Sequence, residues 1–282
     1  MIKIGLAGWG DHDDLYPAGT PSSDKLRIYS RHFPIVEVDS SFYAVQPERN
    51  IRKWLQDTPE HFGFIFKAYQ GMTGHSRGRI PYDSADAMFD DFKLSIGPVH
   101  QAGRLKAVLF QYPPWFDCTR QHVELLKRTK ARMGDLPVAL EFRHQSWFRP
   151  DYIEKTLAFM EQEGWIHSIC DEPQAGEGSV PTIERVTSQT RSIVRFHGRN
   201  TEGWNRQGPG DEWRAVRYLY HYSEAELMEW TERLKRLQET CEEICVIFNN
   251  NSGGHAARNA KDLQLLMGQE AEPLPPRQME LL

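Results

Sequence analysis

Eight short segments rich in β-branched and aromatic residues recur along the chain, and turn-forming residues bound each of them. They cover residues 2–9, 35–42, 63–69, 107–113, 137–144, 165–171, 192–199 and 244–251. Amphipathic segments with a 3.6-residue period lie between most of them, most clearly at residues 120–133, 151–163, 224–239 and 257–267. Because parallel strands connect only through crossovers, this alternation predicts an α/β fold of the closed (β/α)8 TIM-barrel type.

An open doubly wound sheet is the alternative fold, and it is disfavoured because no glycine-rich nucleotide-binding turn follows the first strand.

Residues 172–191 hold Pro, Gly and Ser with little helical pattern, so the sixth unit is predicted to be irregular. Residues 200–222 form a long aromatic-rich loop after the seventh strand and predict an ordered flap. Ser84 and the pair Ser223 and Glu226 predict helix starts. We predict one domain over residues 1–269 and a flexible tail over residues 270–282.

The charge balance excludes a global positive field that would attract nucleic acid or an anionic membrane, because 39 acidic side chains outnumber 34 basic ones and give a net charge of −5. No stretch approaches the roughly 18 apolar residues of a membrane span, and no signal-peptide core precedes the first strand. The four cysteines have no zinc-binding spacing and are expected to stay reduced. We therefore expect a cytoplasmic protein with no membrane partner.

Alternate residues of a barrel strand face the interior or the surrounding helices, so the two parities of each strand should differ in character. One parity is apolar and is predicted to face the helices, as in Val36, Val38, Phe64, Phe66, Val108, Phe110, Leu140, Phe142, Val194, Phe196, Val246 and Phe248. The other parity is polar and is predicted to face inward, and it comprises Glu37, Asp39, Lys67, Gln111, Glu141, Arg143, His167, Asp171, Arg195, His197, Asn249 and Asn251.

The inward charges nearly cancel, as the charges of a desolvated cluster must if they are to stay ionised. Four carboxylates oppose three cations, namely Glu37, Asp39, Glu141 and Asp171 against Lys67, Arg143 and Arg195. A buried ion network without a ligand is one interpretation. A functional site is favoured, since ordinary barrel cores are aliphatic and barrel enzymes place polar residues at the carboxyl ends of their strands.

Seven motifs carry a family resemblance, in order from about residue 2 to residue 266. They are AGW at 7–9, EVDSSFY at 37–43, FIFK at 64–67, FQYPP at 110–114, EFRHQSWF at 141–148, RFHG at 195–198 and FNN at 248–250. The chain resembles the YecE-like family, domain of unknown function 72 (DUF72). The resemblance implies a TIM-barrel fold over essentially the whole chain and implies no established reaction. Asp39 stands where the family commonly has Asn.

The favoured hypothesis is an enzyme, a hydrolase or an isomerase or lyase, that acts on a small anionic or polyhydroxylated substrate at the C-terminal barrel mouth. Glu141 and Asp171 would divide the acid and base roles, with His197 as a further proton carrier. Lys67, Arg143 and Arg195 would hold negative charge. Further predicted ligand contacts are Trp9, Asp39, Tyr43, Gln111, His144, Trp147, Asn249 and Asn250.

Two other hypotheses stay open. A metal-assisted phosphoesterase or isomerase would use Glu37, Asp39, Glu141, Asp171 and His197 as ligands, but three inward cations compete for those carboxylates, so we predict no metal and no cofactor. A non-catalytic module that binds a ligand or nucleic acid would use flap residues Arg199, Arg206, Arg214 and Arg217 with Trp204, Trp213 and Tyr218. A flap that covers the barrel explains the same residues, so nucleic acid is not the expected partner.

Overall fold

Eight parallel strands pair in sequential order and close into a barrel in the computed structural model, which describes residues 1–76, 78–204, 216–270 and 272. The predicted (β/α)8 fold is therefore confirmed. The strands are β1 (Ile2–Ala7), β2 (Ile35–Val38), β3 (Gly63–Lys67), β4 (Leu105–Gln111), β5 (Val138–Glu141), β6 (Ile166–Asp171), β7 (Arg191–Phe196) and β8 (Glu243–Phe248).

Helices surround the barrel, and they are α1 (Ser22–His32), α2 (Ser40–Tyr43), α3 (Glu48–Asp57), α4 (Ala85–Gln101), α5 (Arg120–Met133), α6 (Ile153–Glu163), α7 (Thr201–Trp204), α8 (Glu224–Gln238) and α9 (His255–Leu266), with 3-10 turns at Asp13–Leu15, Gln145–Phe148 and Ser252–Gly254. Residues 40–42, predicted as the end of a strand, belong instead to the short helix α2. Within the described ranges no helix has the length and apolar character that a membrane crossing requires.

Side-chain caps fix two of the helix starts that the sequence predicts. The Ser84 hydroxyl accepts a hydrogen bond from the Ala87 amide at 3.1 Å at the start of α4. At the start of α8, the Ser223 hydroxyl accepts from the Glu226 amide, and the Glu226 carboxylate accepts from the Ser223 amide at 2.8 Å. These bonds satisfy backbone donors that have no partner within the helix.

Strand parity separates the buried residues into two regions. The apolar residues predicted to face the helices do so, and they belong to a large core between the strands and the helix layer. A second, separate apolar cluster fills the middle of the barrel interior. This cluster, the apolar belt, consists of Ala7, Ile35, Ile65, Ala107, Leu109, Ala139, Ile166, Ile193, Cys245 and Ile247.

Polar side chains lie at both ends of the belt, as β7 illustrates. The inward-facing residues of β7 and of the segment just after it are Arg191, Ile193, Arg195 and His197. Of these, Ile193 belongs to the belt. At a strand rise of about 3.3 Å per residue, Arg191 and Arg195 are about 13 Å apart along the strand. The barrel interior is therefore charged at its floor, apolar at its centre and charged again toward the carboxyl ends of the strands.

The parity predicted for β6 is wrong. His167 pairs with Leu140 and Asp171 pairs with Phe196, so both residues lie on the helix-facing side of the sheet. The inward residues of this strand are Ile166, Ser168 and Cys170, and the next residue of that parity is Glu172. Both parities of β6 carry an isoleucine and polar residues, which is why the alternation did not distinguish them.

Asp171 therefore belongs to the packing between the barrel and its helices. Arg199 donates to both of its carboxylate oxygens, at 2.9 Å from Nε and 2.6 Å from Nη2. The Trp230 indole donates at 2.6 Å and the Tyr222 hydroxyl donates at 2.9 Å. Four donors satisfy this buried carboxylate, and none of them comes from the barrel interior.

The sixth unit is irregular, as predicted, because residues 172–190 contain no helix. Side-chain hydrogen bonds attach this segment to β6 instead. Thr182 donates to the Cys170 carbonyl at 2.9 Å, and Thr187 donates to the Trp165 carbonyl at 2.7 Å while accepting from the His167 amide at 2.8 Å. Residues 271 and 273–282 of the predicted tail lie outside the described residues, so that prediction stays untested.

We predict that Asp171→Asn lowers the free energy of unfolding by about 2–4 kcal/mol, because the Arg199 ion pair is lost and one buried donor loses its acceptor. Urea denaturation followed by circular dichroism measures this difference. Asp135→Asn, at an exposed position after α5, serves as the matched control and should change stability by less than about 0.5 kcal/mol. Equal stabilities of the two variants would contradict the structural role given to Asp171.

Candidate functional site

Six buried side chains form a continuous ion network above the apolar belt, toward the carboxyl ends of the strands. These side chains meet here because their inward parity brings them to the barrel axis. They come from β2, β5 and β7 and from the segments that follow β5, β6 and β7. Each of the six is at most 5% exposed. The members are Glu37, Glu141, Arg143, Glu172, Arg195 and His197.

Arg195 lies at the base of the network and is fully buried. Its Nε and Nη2 atoms donate to the two oxygens of Glu37, at 2.9 and 2.5 Å. Its Nη1 atom donates to Glu141 at 2.7 Å. The predicted inward position is confirmed, but all three guanidinium nitrogens bind protein carboxylates. Arg195 therefore neutralises the interior acids and presents no exposed atom to a ligand.

Glu141 is the most highly connected acid of the network. Besides Arg195, it accepts from Gln111 at 2.6 Å and from Ser168 at 3.1 Å, and Arg143 Nη2 lies 2.9 Å from its Oε1. Burial alone would raise its pKa. The charges of Arg195 and Arg143 outweigh burial and hold the pKa of Glu141 well below its usual value. Glu141 is thus ionised at neutral pH.

Glu172 is a network member that the sequence interpretation missed. Its Oε2 accepts from Arg143 Nη1 at 2.6 Å, and its Oε1 accepts from the Val180 amide at 2.6 Å. Burial outweighs the attraction of Arg143 and raises the pKa of Glu172 to about 7. Glu172 occupies the inward position that was assigned to Asp171. In the sequence, Glu172 directly follows Asp171 and so has the opposite parity, the one that was predicted to face the helices.

His197 stands between the acids and the basic groups. Its Nε2 lies 3.4 Å from Glu141 Oε1, and the Asn249 amide nitrogen lies 3.0 Å from its Nδ1. Arg143 Nη2 lies closer to Nε2, at 3.1 Å, so this nitrogen faces a guanidinium donor as well as the Glu141 oxygen. Burial, reinforced by Arg143 and Arg195, lowers the pKa of His197 well below 6.5. The ring is therefore a neutral imidazole at pH 7.

Partly exposed polar side chains surround the network at the mouth of the barrel. Lys67 Nζ lies 3.4 Å from Asp39 Oδ1 and 5.0 Å from the centroid of the Phe42 ring. Gln111 and Asn249 are also partly exposed, and both contact network members. Of the predicted ligand contacts, Asp39 and Lys67 therefore contact each other, and Gln111 and Asn249 contact the network.

His75 is a second residue that the sequence interpretation missed. It follows β3 on a loop, and its Nδ1 lies 2.8 Å from the Thr73 hydroxyl. Burial lowers its pKa to about 4, with further contributions from the charges of Lys67 and Arg143. The Phe42 ring lies 5.1 Å from the His75 ring and also contacts Lys67, so His75 stands beside the mouth residues. No motif in the sequence marked it.

The indole of Trp204 covers the network. Its ring centroid lies 5.3 Å from the Arg143 guanidinium carbon and 4.0 Å from the Arg217 guanidinium carbon. Cation–π attraction of this kind stabilises a guanidinium against an indole face. Trp204 is only 4% exposed, and Tyr218 packs edge-on against it at 6.4 Å. Direct contact between solvent and Arg143 is thereby restricted.

Five predicted ligand contacts lie away from the network. Trp9 packs against Trp54, Tyr43 is 55% exposed, and Trp147 is buried and stacked on Phe142. The other two have structural partners. His144 accepts from the Ser146 amide at 3.2 Å, and Asn250 donates to the Tyr220 carbonyl and to Asn259. Their positions are those of core, surface and loop-stabilising residues.

A different set of residues from the predicted one has the spacing of a metal site. Ligand atoms of Glu141, Cys170 and His197 lie within 4.8 Å of one another, and all three residues are buried. Asp171 is absent from this set because it faces the helices. Arg143 and Arg195 already bind the Glu141 oxygens, so a cation would have to compete with two guanidinium groups for that carboxylate.

The flap proposed for nucleic-acid contact is only partly described. Arg206, Trp213 and Arg214 lie outside the described residues. Arg199 binds Asp171 and Glu226, while Arg217 and Tyr218 pack around Trp204. The described members of this set therefore contact the barrel and its cover.

Comparisons with known proteins support a single family. A family model described as "Protein of unknown function DUF72" matches residues 3–280. The chain is 57% identical over 281 residues to UPF0759 protein YunF of Bacillus subtilis, covering all of both sequences. It is 26% identical over 223 residues to UPF0759 protein YecE of Escherichia coli K12, covering 73% of this chain and 78% of that protein.

Two crystal structures of DUF72 family proteins share the fold over nearly their whole length. One, from Enterococcus faecalis, is 34% identical with a TM-score of 0.90, and the match covers 99% of this chain and 100% of the other. The second, from Thermotoga maritima, is 30% identical with a TM-score of 0.81, covering 95% and 100%. As the seven motifs implied, this chain belongs to the DUF72 family.

Proposed function

We propose that this protein is an enzyme that performs acid–base chemistry on a small anionic or polyhydroxylated molecule at the C-terminal mouth of the barrel. One observation carries the proposal. Glu141 and Glu172 both bind Arg143, yet their surroundings move their pKa values in opposite directions. Pairs of carboxyl groups with separated pKa values are the arrangement by which one site supplies both an acid and a base.

Glu172 is the proton-transferring group in this proposal. A pKa of about 7 lets a carboxyl group donate or accept a proton near neutral pH, where general acid–base catalysis is most effective. Glu141 stays ionised and stabilises positive charge that develops during the reaction. His197, a neutral ring between Glu141 and Asn249, orients these groups and relays protons. Glu172 thus replaces Asp171 in the role predicted for the second carboxylate.

The ligand would be recognised by the partly exposed ring of mouth residues. Lys67 offers a positive charge to a phosphate or carboxylate, and its side chain keeps 16% of its surface exposed. Gln111 and Asn249 carry amide groups that can orient hydroxyl groups of a polyhydroxylated molecule. These groups border the ion network, so a ligand bound to them would stand next to the acid–base pair.

Trp204 would have to move from Arg143 before a ligand reaches the network. This displacement gives up an indole–guanidinium contact, an interaction with a typical strength of about 0.5–2 kcal/mol. An anionic ligand at Arg143 would offset that cost with charge-assisted hydrogen bonds. Arg195 would stay in place, since its three nitrogens remain bound to Glu37 and Glu141.

We predict that Glu172→Gln lowers turnover by about 10²-fold or more, because it removes a proton-transferring group. A screen of phosphorylated sugars, sugar acids and glycosides would identify the substrate, and kcat would then be compared between variants. Glu177→Gln, five residues further along and exposed, is the matched control and should keep wild-type turnover. Full activity in the Glu172 variant would show that the buried pair is only structural.

The pH dependence follows from the raised pKa of Glu172. If Glu172 acts as the acid, its protonated form is active and is lost as the pH rises through about 7, so kcat should fall on the alkaline side. Difference infrared spectroscopy of the carboxylic acid C=O band, wild type against Glu172→Gln, measures this titration without a substrate. A band already absent at pH 5 would contradict the assigned protonation state.

We predict that Lys67→Met raises KM for an anionic substrate about tenfold or more, because one charge-assisted hydrogen bond is lost. Its kcat should change less, since Lys67 is assigned to binding. Lys127→Met, on the exposed face of α5, is the control for a general loss of positive charge. Equal effects of the two substitutions on KM would argue against an anion at the mouth.

A further inference from the structure

A second charged cluster lies at the floor of the barrel, at the amino ends of the strands and outside the site described above. Three cationic side chains converge on the Glu243 carboxylate. Lys3 and Lys106 lie 3.2 and 3.1 Å from its Oε2, and Arg191 lies 2.7 Å from its Oε1. These four side chains, the floor cluster, come from β1, β4, β7 and β8.

A register shift between two strands brings Lys106 into this cluster. The register between β3 and β4 shifts at this point, since Phe64 pairs with Leu105 but Ile65 pairs with Ala107. Lys106 is the extra residue, and its side chain crosses Gly63. A Cβ atom at Gly63 would lie 2.8 Å from Cγ and Cε of Lys106, so a larger residue there would force the Lys106 side chain to shift. Local geometry thus positions this cation against Glu243.

Charge in the floor cluster is not balanced. Three positive groups surround one negative group, which leaves a net charge of +2. Burial would raise the pKa of Glu243, but the charges of Arg191, Lys106 and Lys3 outweigh burial and lower this pKa to about 2. The acid is therefore ionised at neutral pH. The neighbouring Glu242 is exposed, where solvent screens its charge. The ion network at the other end of the barrel, in contrast, pairs each guanidinium with two carboxylates.

Solvent reaches the cluster, and donors remain for a further acceptor. The side chains of Lys3, Lys106 and Arg191 are 12, 13 and 20% exposed. Arg191 donates from Nε to Glu243 and from Nη1 to the Lys106 carbonyl at 2.7 Å, and its Nη2 has no acceptor among the described residues. Burial lowers the pKa of Lys106; Glu243 opposes this shift, while the charges of Lys3 and Arg191 add to it.

We propose that the floor cluster binds a compact dianionic oxyanion, such as inorganic phosphate or the phosphate group of a phosphomonoester. Two negative charges would cancel the excess charge of Lys3, Lys106 and Arg191. Guanidinium and ammonium groups are the donors that bind phosphate oxygens in proteins. The apolar belt separates this site from the mouth, so the inference does not depend on the proposed function.

Titration calorimetry with inorganic phosphate, at constant ionic strength maintained with sodium chloride, tests the proposal on the full chain. Wild type should bind phosphate at the floor, and Lys106→Met and Arg191→Gln should each weaken that binding about tenfold or more. Lys67→Met and Lys127→Met are the controls, because they remove a cation at the mouth and on the exposed surface. Both controls should keep the floor affinity unchanged.

Circular dichroism would check that each variant folds, and Lys3→Gln provides a third test of the cluster if either floor variant is unfolded. A parallel titration with glycerol 3-phosphate distinguishes the two sources of the anion, since a site for phosphomonoesters binds both and a site for free phosphate binds only the inorganic ion. The proposal would be overturned if titrating phosphate into the wild-type protein released the same heat as titrating sodium chloride. Phosphate binding that is lost in Lys67→Met and kept in the floor variants would also overturn it.

Discussion

A single buried guanidinium, that of Arg195, holds the polar interior of this barrel together. It joins β7 to β2 through Glu37 and to β5 through Glu141, so three strands that are not all neighbours are tied at one level of the barrel. Removing one partner of a buried ion pair typically costs about 3–5 kcal/mol, because the other charge is left without compensation. Glu141 stays ionised at the centre of this protein because the charges of Arg195 and Arg143 outweigh its burial.

The chemistry of the mouth follows from how Arg195 uses its donors. It satisfies Glu37 and one oxygen of Glu141, which leaves Arg143 to be shared between Glu141 and Glu172. Glu141 therefore has two guanidinium partners and Glu172 has one. This unequal sharing, in equally buried surroundings, explains why the pKa of one acid falls while the pKa of the other rises to about 7.

Much of the architecture could be predicted from the sequence because, in most strands, the parity that faces the helices is apolar and the inward parity carries polar residues toward its ends. β6 does not follow this pattern, and its ambiguity misplaced His167 and Asp171 and hid Glu172. Aromatic residues such as Trp147 were misassigned to the site for a different reason, since composition does not distinguish a core ring from one at the mouth. The floor cluster was not predicted because Lys106 reaches it only through the register shift between β3 and β4, although Lys3, Arg191 and Glu243 share the inward parity in their strands.

The apolar belt also divides the interior of the barrel into two charged compartments. Hydrocarbon side chains separate the excess positive charge at one end from the nearly neutral set at the other, and Ile193 lies midway between Arg191 and Arg195 on the same strand. Because a low-dielectric medium weakens Coulomb interactions less than water does, a change of charge in one compartment shifts the electrostatic potential in the other across about 13 Å. During evolution, the charge at one end of such a barrel therefore constrains which ionisable groups the opposite end can acquire.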